Sequence, residues 1–66
     1  MSPDKMVHMA NQIASFFTTQ PGDPSGKIAD HLRDYWEPRM RAQLIEYIQA
    51  GGKGLSPAVE DAAKQL

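Results

Sequence analysis

Tyr35-Trp36-Glu37-Pro38-Arg39-Met40-Arg41 is the stretch on which the architecture turns. Pro38 has no backbone N–H, and its ring pushes Glu37 out of the α region, so a helix arriving from the N-terminal side stops here. The same proline suits the first position of a new helix. One helix therefore ends and another begins with almost no loop between them. Antiparallel neighbours usually need about two to eight connecting residues. These two helices should instead meet at a corner, with Trp36 in it.

Working outward, the upstream helix is predicted over Ser25–Trp36, with Asp23 or Ser25 as its cap. Its apolar face is Ile28, Ala29, Leu32, Tyr35 and Trp36. The downstream helix is predicted over Pro38–Ala50, with Met40, Leu44, Ile45, Tyr47 and Ile48 as its face and Gly51-Gly52 as its stop. Before the corner pair, Thr18 to Pro24 holds two prolines and a glycine and reads as a loop. Ahead of that loop, after a lead-in at residues 1–4, Ser2-Pro3-Asp4 opens a helix predicted over Pro3–Phe17. Its stripe is Met6, Met9, Ile13 and Phe16, widened by Ala10 and Phe17. After the corner pair, residues 51–54 read as a flexible Gly-rich joint, and 55–66 as a short, weak helix from about Ser56 with a thin edge of Val59, Ala62, Ala63 and Leu66. The fold class is all-α: a small bundle of three main helices plus a short weak C-terminal helix, in one domain over residues 1–66.

Composition narrows the function. A chain of 66 residues with no cysteine has no disulfide staple, no thiolate zinc site, no iron–sulfur ligation and no thiol chemistry. At this size a single core rarely supplies more than about 3–5 kcal/mol, so a partner surface is the natural staple. Seven basic against eight acidic residues create no field for DNA or an anionic membrane. No apolar run is long enough to span a bilayer, and the first residues do not resemble a secretory signal. A cytoplasmic protein with no nucleic-acid or membrane partner is expected. A helix-turn-helix reading is set aside, because the helix after the corner carries only Arg39 and Arg41 against Glu46.

Candidate chemistry is thin. His8 and His31 lie on different helices with no second histidine a turn away, and Asp34 gives His31 only half a metal site. Asp30 and Asp34 share a helix face that Arg33 relieves. Gly51-Gly52-Lys53-Gly54 lacks the first glycine, the hydroxyl residue and the preceding strand of a phosphate loop. Ser2, Ser25 and Ser56 read as helix caps rather than nucleophiles. No catalytic, cofactor-binding or metal-binding residue is expected. The corner invites a different role: Trp36, Arg39, Met40 and Arg41 are residue types enriched at interface centres, although the same side chains also suit a packed corner. The second candidate surface is the flank of the first helix around His8, Asn11 and Gln12.

Met9-Ala10-Asn11-Gln12-Ile13, Phe16-Phe17, Ile28-Ala29-Asp30-His31-Leu32, the Tyr35–Arg41 block and Gly54-Leu55-Ser56-Pro57, in this order, resemble the delta subunit of soluble NAD-dependent formate dehydrogenase over about residues 5–63. The family pattern often carries aspartate where this chain has Glu37, which keeps the charge. The resemblance implies a small accessory subunit that supports assembly or stability of a cytoplasmic enzyme oxidising formate to carbon dioxide. It implies larger partner subunits, the molybdenum-bearing one above all. Those subunits, not this chain, would carry the molybdenum or tungsten pterin, iron–sulfur clusters, FMN and the NAD site. Two other readings compete: a maturation or regulatory adaptor that binds the same enzyme transiently, and a helical interaction module unrelated to it.

Overall fold

The computed structural model describes residues 1–66, and its regular structure is four helices: α1 (Pro3–Thr18), α2 (Pro24–Tyr35), α3 (Pro38–Gln49) and α4 (Pro57–Ala63). Each helix has proline in its first turn, where the missing N–H costs nothing. Three N-termini also receive a side-chain cap. Ser2 Oγ accepts from the Lys5 N–H at 3.3 Å, and Ser56 Oγ accepts from the Ala58 N–H at 3.3 Å. On α2 the cap is Asp23, whose Oδ1 accepts from the Ser25 N–H at 3.0 Å. Ser25 is therefore not a cap but a buried link: its hydroxyl donates to Asp23 Oδ1 and accepts from Gln65 Nε2 at 3.0 Å.

The corner forms as the proline rule requires. Trp36 and Glu37 are both extended, with ψ of 138° and 150°, and they alone separate α2 from α3. The Trp36 N–H still closes the last turn of α2 onto the Leu32 carbonyl at 3.0 Å.

The core joins Met6, Ala10 and Ala14 of α1 to Ile28, Ala29, Leu32 and Trp36 from α2 and its cap. Leu44 of α3 and the Leu55, Val59 and Ala62 group around α4 complete it. Its centre is the α1–α2–α4 trio, and α2 lies most closely on α4. This corrects the expected order of importance. The C-terminal helix is a core element, whereas α3 buries only Leu44 and rests Met40, Tyr47 and Ile48 against the outside of the core. The physical reason is size. Val59 and Ala62 are small, fully buried side chains that let α4 pack closely on α2, and full burial of one valine contributes about 2 kcal/mol.

Two apolar faces are also rotated from their expected positions. On α1 the buried row is Met6, Ala10 and Ala14, while Met9, Ile13 and Phe17 are half-buried and Phe16 is 61% exposed. Alanines at one-turn spacing let α2 and α4 close onto that row, which swings Phe16 out of the core. On α2, Tyr35 is 75% exposed instead of facing inward.

The Gly-rich joint is an ordered turn. The Gly52 N–H reaches the Tyr47 carbonyl and the Gly51 N–H the Ile48 carbonyl, both at 3.0 Å, in the hydrogen-bond pattern of a Schellman motif. Gly52 has φ +64° and is buried, a backbone position that side chains with a Cβ rarely adopt.

Candidate interaction surface

The side chains singled out at the corner divide by direction. Trp36 is only 6% exposed and belongs to the core, with Met40 packed partly against it. Arg41 turns back toward α2. Its Nη1 donates to the carbonyls of Trp36 at 2.9 Å, Arg33 at 3.0 Å and, at longer range, Leu32 at 3.4 Å. The Arg33 and Trp36 carbonyls have no partner in the helix, the Leu32 carbonyl already accepts the Trp36 N–H, and together they lie at the negative end of the α2 dipole. Arg41 thus closes the corner that Pro38 opens. Arg39 points elsewhere and is exposed, with no salt bridge in the chain.

The second group divides as well. Asn11 is half-buried and bridges to the turn before α4: its Nδ2 donates to the Gly54 carbonyl at 2.9 Å, and its Oδ1 accepts from the Ser56 N–H at 2.9 Å. Tyr47 holds the same turn from the other side, its hydroxyl donating to the Lys53 carbonyl at 2.6 Å. His8 and Gln12 are exposed and line separate grooves, His8 beside Asp4 and Lys5, Gln12 beside Phe16 and His31. His8, Asn11 and Gln12 lie about one turn apart on the same flank of α1, where Asn11 is engaged with the chain's own turn and His8 and Gln12 stay exposed.

What the structure does bring together is an aromatic row between α1 and α2. Phe16 meets Phe17 edge-on with ring centroids 5.1 Å apart, and Phe17 meets His31 at 5.9 Å. His31 in turn lies 4.7 Å from Tyr35, one helical turn along α2. Sequence reading placed Phe16 and Tyr35 on core faces and so missed the row. The signal was available in the width of α1's apolar stripe, which exceeds what a core of this size absorbs.

On the opposite flank of α2, Arg33 pairs with Asp30 at 2.8 Å, as the spacing predicts, and donates through Nη1 to the Gln65 carbonyl at 2.9 Å. No group of three or more His, Asp or Glu side chains is drawn together as a metal site. No helix is long and apolar enough to cross a membrane. The arrangement is that of a small all-α protein whose internal polar bonds join its own helices and turns, leaving an aromatic row along a groove between α1 and α2.

Comparison with known proteins carries the assignment further. The family model described as the NADH-dependent formate dehydrogenase delta subunit, FdsD, matches residues 5–63, and the chain belongs to that family. No curated protein matches it. Its partners, as those of a delta subunit, are other subunits of formate dehydrogenase.

Proposed function

We propose that this chain is a non-catalytic accessory subunit of a cytoplasmic NAD-dependent formate dehydrogenase, held against the molybdenum-bearing subunit and supporting assembly or stability of the complex. The observation that carries the reading is the delta-subunit family match over nearly the whole chain. The interior supports it. The large buried side chains are apolar, and the ordered polar contacts of Arg41, Asn11 and Tyr47 go to backbone groups of the chain itself. In this reading the pterin metal, iron–sulfur clusters, flavin and NAD belong to the larger subunits. Arg39, His8 and Gln12 offer exposed polar contacts to them, while Trp36, Met40, Arg41 and Asn11 act by holding the shape that presents those contacts.

The test is to produce the larger subunits with and without this chain. Omission should lower the yield of assembled, cofactor-loaded enzyme while formate-dependent NAD reduction per assembled molybdenum centre stays the same. Full assembly with turnover abolished would instead give the chain a part in the reaction. Normal assembly and turnover without it would remove the accessory role.

A further inference from the structure

Three grooves indent the surface, and their linings differ in charge. The groove between α3 and α4 carries Glu60, Asp61 and Lys64, and the one at the N-terminal end of α1 carries Asp4 and Lys5. Linings of that kind are well served by water. The α1–α2 groove is lined by Gln12, Ile13, Phe16, Phe17 and His31, without a carboxylate, ammonium or guanidinium group. In a chain with 23% charged residues, an uncharged lining marks surface that loses little when water is removed. Through His31 the groove continues to Tyr35. Phe16 and Tyr35 are two of the three large hydrophobic side chains that the fold leaves exposed.

We propose that this aromatic row, with the groove it lines, is the face by which the chain docks on a larger formate dehydrogenase subunit, against an uncharged, mainly apolar surface of that subunit. The proposal rests on the subunit reading above and assigns it a surface.

Area and charge select the occupant. An aromatic side chain covers about 150–250 Å², so Phe16 at 61% and Tyr35 at 75% exposure offer about 300 Å² together. Pressed against the same two rings of a second copy, Phe16 and Tyr35 would bury about 600 Å² in all, short of the roughly 1,000 Å² that a specific pair needs. A larger partner can fill the groove and extend past the rings over the flank of α1 at Met9 and Ile13, with the two rings as its central anchors. A charged receiving surface would leave its charge dry and unpaired against Phe16, Phe17 and Ile13, so that surface is uncharged, with hydrogen-bonding groups only where it meets Gln12, His31 and the Tyr35 hydroxyl.

The experiment is co-expression with the larger subunits, reading how much of the chain stays on the affinity-tagged enzyme. Parent, Phe16→Ser, Tyr35→Ser and, as a control in the α3–α4 groove, Lys64→Ala are compared, with circular dichroism of each free chain. Phe16→Ser and Tyr35→Ser should lower retention at least tenfold at unchanged helicity, with Lys64→Ala retained like the parent. Retention of both row variants at the parent level would overturn the proposal while leaving the subunit reading intact. Failure of the parent itself to be retained would overturn the subunit reading, and the docking face with it. Should Phe16→Ser lose helicity, Tyr35→Ser decides alone, since its ring lies mostly in solvent. Sedimentation of the free chain should show a monomer. A dimer dissolved by Phe16→Ser would give the row to a second copy and contradict the proposal.

Discussion

Arg39 and Arg41 stand two residues apart on α3 and have different surroundings. Arg41 satisfies α2 carbonyls through one nitrogen, whereas Arg39 faces water. Charged hydrogen bonds contribute about 1.5–3 kcal/mol each before solvent screening, so Arg41→Ala should destabilise the chain by about 2 kcal/mol. Arg39→Ala should stay within about 0.5 kcal/mol of the parent. Urea unfolding followed by circular dichroism measures both, and equal midpoints for the two variants would contradict the capping role. Arg41 is consequently a poor probe of docking, because its loss disturbs the corner itself. Asn11→Asp isolates one half of a second contact: the carboxylate still accepts from Ser56 but cannot donate to Gly54. It should cost about 1–3 kcal/mol, read in the same assay. The sequence tells that two arginines at this spacing diverge. It does not tell which one meets the end of α2, because that depends on the angle of the corner. Asn11 was similarly opaque, since its partners lie 43 and 45 positions along the chain.

α4 is seven residues long, below the length at which an isolated helix holds together in water, yet it supplies Val59 and Ala62 to the centre of the core. Tertiary packing supplies what local propensity lacks. Its entry is set by the turn that follows α3, where Gly52 sits at φ +64° and an added Cβ would lie 3.4 Å from Glu60 Oε2 and 3.6 Å from Ile48 Cα. Gly52→Ala should therefore cost about 1–2 kcal/mol from backbone conformation alone. Val59→Ala should cost about 2 kcal/mol through lost burial and the space left behind. Both are measurable as shifts in the thermal midpoint. A Val59→Ala variant as stable as the parent would restore α4 to the marginal role its sequence suggests. Caps, prolines and the corner were readable residue by residue because their causes are local. The rank of α3 and α4 was not, because α3 has the richer apolar face and only the route of the chain decides which helix lies on α2. The same limit hid the aromatic row: the apolar stripe of α1 was visible, but not the fraction of it that the core would cover.

Of the eleven hydrophobic residues in the core, four are alanines, and only Met6, Ile28, Leu32, Leu44 and Val59 are large and fully buried. A core of that composition leaves little margin after chain entropy is counted. The free chain should therefore melt at or below the range of about 45–65 °C usual for mesophile domains. It should gain stability on its enzyme, because a partner that binds only the folded state shifts the unfolding equilibrium. Thermal scans of the free and bound chain by circular dichroism and hydrogen exchange check this, and a free chain that melts far above that range would argue against dependence on a partner. The most direct test of the subunit assignment is stoichiometry in the mature enzyme. Active formate dehydrogenase purified through a tag on one of its larger subunits would be weighed intact by native mass spectrometry. A fixed, whole-number complement of this chain in every active particle is the predicted result. Fully active, fully loaded enzyme that lacks the chain, with the chain found only on immature particles, would contradict it and make the protein a departing assembly factor.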